Sequence, residues 1–179
     1  MSVTTTMGYY QVSLKRKQQA IRAVGQLAAD AAGNPAPFAG TTAYERASVA
    51  VPFGNCTEPS NVKAGGQACP YKFTCLGCGH FRSDPSYLPE LKSYLQQLLA
   101  DREQVQAATE LHDWAKAQLA PREEEITQLR DLIRRIEADG AALTEQDQAL
   151  IAEAVTVIRM TRQVVSLGMP TVRPAAKTG

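Results

Sequence analysis

Long apolar runs are missing from this 179-residue sequence: no stretch of 18 or more apolar residues occurs, which leaves no candidate for a membrane-spanning helix. The opening MSVTTTMGYYQVSLKRK has no apolar block behind a basic start, so no secretory signal is expected. The expected setting is the cytoplasm, where thiols stay reduced. Aromatic residues make up only 6% of the chain and there is a single tryptophan, Trp114, which argues against one large aromatic core. Charge of one sign is also lacking, since the net charge is +1.

That near-neutrality hides an asymmetry. Residues 1–82 hold eight Lys/Arg against three Asp/Glu, a net of +5, whereas residues 83–179 hold eleven against fifteen, a net of −4. The front half suits a polyanion and the back half does not. Lys15, Arg16, Lys17, Arg22, Lys63, Lys72 and Arg82 are the candidate phosphate contacts. A solvated surface accounts for the same charges equally well.

Five segments are expected. Residues 1–33 form an N-terminal helix, with Ser13 as N-cap, Ile21, Val24, Leu27, Ala28 and Ala31 at helical spacing, and Gly33 as the stop. Residues 34–50 are rich in Gly and Pro and form a linker. Residues 51–83 show neither helical nor strand period. Residues 84–167 form an amphipathic helical arm, and the Pro/Gly-rich residues 168–179 a disordered tail. In the arm, Asp84-Pro85 reads as a cap and first helical position, followed by one helix to Leu119. Pro121 breaks it. A second helix has the stripe Ile126, Leu129, Leu132, Ile133 and Ile136 and closes at Gly140. Thr144 and Asp147 open a third, with Leu150, Ile151, Ala154, Val157, Ile158 and Val164 as its apolar positions. The fold class expected is mainly α: an N-terminal helix, a loop-rich cysteine segment, and a helical hairpin or coiled-coil arm of about three helices. A three-helix bundle fits the same pattern.

All four cysteines, Cys56, Cys69, Cys75 and Cys78, lie in the aperiodic segment. A piece of fewer than roughly 40 residues cannot order itself without a disulfide, a metal or a partner. In a reducing compartment the metal is the natural staple, and four thiolates close a tetrahedral Zn2+ site. CLGCG places two thiolates on one tight turn. Zinc is the first expectation; an iron–sulfur cluster and metal-free cysteines are the alternatives. His80 is a reserve ligand. A closed four-thiolate site has no open position, so it braces structure and does no metal catalysis.

TTTMGYYQVSLKRK resembles the end of the catalytic domain of tyrosine recombinases, the phage-type site-specific integrases. The cysteine stretch with its DPSYLPEL continuation, and the helical region behind it, resemble the C-terminal extension of actinobacterial integrases. The resemblance implies a DNA-recombining parent activity and maps Tyr9, or the adjacent Tyr10, onto the nucleophile. The arginines, lysine and histidines that assist such a tyrosine lie upstream of it in the family, and only eight residues precede Tyr9 here. A lone phenol is a poor nucleophile, so this chain alone is not expected to cut DNA. Three functions stay open. One is a non-catalytic, DNA-associated zinc module that also contacts protein, or itself, through the arm. Another is a zinc-braced interaction module with no DNA binding. The third is a donor in trans of the tyrosine to a split recombinase.

Overall fold

A computed structural model of the chain describes residues 14–72 and 74–162. Ser13, Val164 and the tail at 168–179 lie outside the described residues. The secondary structure is mainly helical, with a small antiparallel sheet. The helices are α1 (Leu14–Gly25), α2 (Thr41–Arg46), α3 (Pro59–Lys63), α4 (Leu88–Ala107), α5 (Asp113–Leu119), α6 (Glu123–Ala141) and α7 (Glu145–Arg162). The strands are β1 (Ala29–Asp30), β2 (Val49–Val51), β3 (Gly54–Cys56) and β4 (Phe81–Ser83), in the order β1-β4-β3-β2. Among the described residues no helix is long and apolar enough to cross a membrane.

The apolar stripe of α6 is buried along its whole length: Ile126, Leu129, Leu132, Ile133 and Ile136 pack with Leu91 and Leu98 of α4 and with Phe81. Three glutamates in the first turn of α6 complement its dipole. A second apolar cluster joins Ala20, Ile21 and Val24 of α1 to Ala154, Val157 and Ile158 of α7. Thr144 closes the start of α7 reciprocally: its Oγ1 accepts from the Asp147 amide at 3.2 Å and donates to the Asp147 carboxylate at 2.7 Å. Of the three helices expected to form one arm, α4 and α6 therefore pair with each other, and α7 pairs with α1.

Other expectations need correction. The first helix ends at Gly25, not near Gly33, because the chain turns back: the Gly25 carbonyl accepts from Phe38 N at 3.0 Å, and Ala28 O from Ala36 N at 2.7 Å. Ala28 and Ala29, read as helix, lead into and form β1, which pairs with β4. The linker contains α2 and β2. The helix after Asp84 stops at Ala107, where Ala108 is extended, and α5 that follows buries none of its residues. Apolar residues at helical spacing that meet no partner do not hold one helix together across that gap. The cysteine segment, read as aperiodic, supplies both central strands of the sheet. Asp84-Pro85 behaves as expected: the Asp84 side chain accepts from Ser86 N at 2.9 Å, with Pro85 opening a 3-10 turn that runs into α4.

Asp84 is fully buried and is met by Arg162 at the end of α7. The guanidinium lies 3.8 Å from the Asp84 carboxylate and 3.7 Å above the Tyr87 ring. It also donates to Ser86 Oγ and to the Tyr44 hydroxyl, both at 2.7 Å. Burial pushes the Asp84 carboxyl upward against the opposing pull of Ser86 and Arg162. This cluster fastens α7 to α2 and to the turn before α4.

The β2–β3 hairpin turns at Pro52 and Phe53. Phe53 has φ 64°, the positive value that the second corner of a type II turn requires and that Gly usually supplies. The Phe53 ring stacks on Tyr94 of α4 with centroids 4.8 Å apart, a contact glycine could not make. At Gly54 a Cβ would fall 2.2 Å from the Arg82 carbonyl oxygen, so β3 approaches β4 only with glycine there. At Gly140 in α6 a Cβ would meet nothing within 4 Å. Gly54→Ala is expected to destabilise the chain by about 1–3 kcal/mol, and Gly140→Ala to stabilise it by up to about 1 kcal/mol. Urea unfolding followed by circular dichroism checks both; equal effects would contradict the hairpin geometry.

Candidate metal centre

The site is built by closing the two ends of the cysteine segment on each other. Cys56 in β3 is the register partner of Phe81 in β4. One residue further on, the Thr57 amide and hydroxyl both donate to the His80 carbonyl, at 2.9 and 3.1 Å. Cys56 is thereby held beside the turn that bears Cys75 and Cys78. That turn is a 3-10 turn, Cys75–Gly77, in which Cys78 N donates to Cys75 O at 3.0 Å. Arg82 clamps its exit by donating to the Gly79 and Phe81 carbonyls at 2.8 and 2.7 Å.

Helix α3 brings in the third side of the site. Glu58 caps it, with Pro59 at the first position, and its carboxylate accepts from Ser60 Oγ and Asn61 N, both at 2.6 Å. The Ser60 hydroxyl and then the Asn61 amide hold the Glu58 carboxyl below its ordinary value. Gly65 (φ 63°) and Gly66 (φ 92°) reverse the chain after α3, a pair of left-handed conformations suited to glycine. The reversal lets Ala68 N donate to Asn61 Oδ1 at 3.2 Å and sets Cys69 toward the centre.

All four cysteines, with Asn61, Val51 and Phe81, wall one small cavity of about 10 Å³. None of the four is in a disulfide. The Glu58 amide already points at Cys56 Sγ, at 3.5 Å. Burial, and then negative charge at Cys56, Cys69 and Cys78, pushes the Cys75 thiol up to about 11. The cysteines face one point but do not form a finished cage: among the described residues no three of the His, Cys, Asp or Glu side chains are arranged to hold a metal ion as placed. His80 stands aside, stacked on Tyr71 with ring centroids 6.0 Å apart. On the outer side of the Cys75–Gly77 turn, a cleft of about 390 Å³ opens between Phe53, Tyr94 and the start of α6.

The candidate phosphate contacts divide. Arg16 pairs with Glu153 at 2.8 Å, Lys17 with Glu45 at 3.3 Å, and Arg82 serves the cysteine turn. Lys15, Arg22, Lys63 and Lys72 are exposed. Tyr9 and Tyr10 lie outside the described residues. Sequence reasoning missed Glu58 and Asn61. Glu58-Pro59 is the same acid-proline signal that marks Asp84-Pro85 and could have located α3. Comparison with protein-family models, with curated proteins and with solved structures gives no match.

In reduced, metal-free protein, Cys69 and Cys78 should be alkylated before Cys56, which is buried at 7% exposure, and before Cys75, whose raised thiol is slow to ionise. Timed alkylation with peptide mass mapping reads the order. Uniform labelling of all four would contradict the placement of Cys56.

Proposed function

We propose that the chain is a non-catalytic zinc module that associates with duplex DNA. In this reading one Zn2+ is held by Cys56, Cys69, Cys75 and Cys78, and Lys15, Arg22, Lys63 and Lys72 face phosphates. The observation that supports it is the convergence of all four cysteines, from three separate local structures, on one cavity of about 10 Å³. The donor set fits a structural zinc: four soft thiols, no disulfide among them, and one amide already directed at a sulfur. A cation offsets the burial and the neighbouring negative charge that together push the Cys75 thiol up. Because the sulfurs do not form a finished cage as placed, zinc uptake has to draw them together, so binding is coupled to local ordering. A reducing, cytoplasmic setting keeps the thiols available.

Within the integrase-like reading, the module is the accessory tail of a recombinase. A contact confined to phosphates carries little sequence preference. The second reading, a zinc-braced protein-interaction module, draws its support from Arg16, Lys17 and Arg82 being engaged within the chain, which lowers the charge left for DNA.

Elemental analysis of the purified, reduced chain is expected to find one zinc per molecule, and Cys78→Ser to lose it while keeping most of the helical signal. Iron, or no metal, would overturn the zinc assignment. Binding to duplex DNA should weaken with salt by about one log–log unit per phosphate neutralised. Lys15→Glu with Arg22→Glu should remove at least two such units. Both residues are exposed and seven positions apart on one helix, so the reversal leaves the α1–α7 contact intact. Salt-independent binding, or none, favours the interaction reading. Deleting the chain beyond Arg82 does not test this, because α1 and Phe81 both pack on helices from that part.

A further inference from the structure

Asn61 is wholly buried, lines the cysteine cavity, and has an amide nitrogen with no hydrogen-bond partner. Its orientation is set by chemistry: the Ala68 N–H needs an acceptor, so Oδ1 must face it at 3.2 Å, and Nδ2 is the arm left over. A buried amide donor without an acceptor is costly, and such groups in a folded chain call for a reason. Besides the hydroxyls of Tyr71 and Thr74, the side-chain acceptors on the cavity wall are the four sulfurs. A neutral thiol accepts weakly; a metal-bound thiolate carries charge and accepts well.

We propose that Asn61 is the outer donor of this centre, its Nδ2–H bonding to a thiolate once the four sulfurs are drawn around zinc. The inference rests on the zinc reading. A four-thiolate zinc site carries two net negative charges, which N–H dipoles directed at the sulfurs help to offset. The Glu58 amide serves Cys56 at 3.5 Å, and Asn61 supplies a second such dipole from the same short helix. Asn61 is thus a positioning residue: it ties the chain one residue before Cys69 through Oδ1 and faces the sulfurs through Nδ2.

The two arms can be tested separately. Asn61→Asp keeps an oxygen for Ala68 N but removes the donor; Asn61→Leu removes both. Zinc affinity is measured by competition with a chromophoric chelator, with helical circular dichroism confirming that each variant folds. Both variants should bind zinc at least 10-fold more weakly than wild type with unchanged stoichiometry, and Asn61→Asp should be no tighter than Asn61→Leu. In wild-type protein loaded with cadmium-113 and labelled with nitrogen-15 at asparagine, a through-bond coupling should link the metal to the Asn61 side-chain amide protons. That second measurement decides the matter if a variant fails to fold. A wild-type chain that takes up no metal overturns the zinc reading and this inference together. Wild type that binds zinc without the coupling, or an Asn61→Asp chain as tight as wild type, overturns this inference alone and leaves Asn61 only its bond to Ala68.

Discussion

The burial of Phe81 joins the helical core to the cysteine centre. Its ring packs in the cluster of Leu91, Leu129 and Ile136, its backbone is paired with Cys56, and its side chain forms part of the cavity wall. Phe81 is 1% exposed. A large apolar side chain buried to that degree contributes about 1.5–3 kcal/mol, against about 0.5–1.5 kcal/mol for an ordinary hydrogen bond between neutral groups. β4 is therefore fixed by the helices. Every other part of the centre is placed relative to β4: Cys56 by strand pairing, the Cys75–Gly77 turn by the short link that follows it, and Arg82 by the next residue along. Gly54 must be small so that β3 can lie against Phe81 and the Arg82 carbonyl.

The charge asymmetry takes on a different meaning once the chain is folded. Part of the positive front half meets part of the negative back half inside the same molecule, as Arg16 with Glu153. Those two side chains are 43% and 61% exposed, so the pair contributes little, within about 0–1 kcal/mol. The docking of α1 on α7 is driven by Ile21, Val24, Val157 and Ile158, with the Arg16–Glu153 pair at its edge. Arg162 is another matter. Its partner Asp84 is fully buried, so loss of the guanidinium would push the carboxyl further toward its neutral form. The cations that remain exposed near the cysteines, Lys63 and Lys72, belong to the segment a metal would order.

What could be read from the sequence follows how far apart the interacting residues lie. The α6 stripe and the Thr144 and Asp84 caps are legible because each is written within one or two helical turns. The sheet is not, because its strands are only two or three residues long, too short for alternation to appear. Its pairing of Ala29 with Ser83 spans most of the distance from α1 to α4. The break after Ala107 is invisible for a related reason: the spacing of Leu111, Ala115 and Leu119 is helical, but none of the three is buried. Phe53 at positive φ defies its local preference because Tyr94, forty-one residues on, offers a stacking partner. The convergence of the four cysteines was legible from their clustering and the CLGCG turn. The place of Asn61 on that cavity wall was not, since an isolated asparagine carries no periodic signal.

The division of labour between the two cores bears on what a metal would do. The α1–α7 and α4–α6 clusters bury their own apolar faces without help from any cysteine in the first case and with only edge contacts from Cys75 and Cys78 in the second. Binding energy from zinc is therefore not needed to hold the helices. In the proposed reading it would act on residues 57–80, where the chain is anchored at both ends by β3 and β4 and, among the described residues, has the short α3 and the Cys75–Gly77 turn between. Drawing four sulfurs to one ion would fix three points along that stretch relative to Cys56, and with them the backbone that bears Lys63, Lys72 and Tyr71. In the proposed reading, metal loading would set the shape of one exposed surface on a body that the two apolar clusters already hold together, which is the arrangement a recognition element needs.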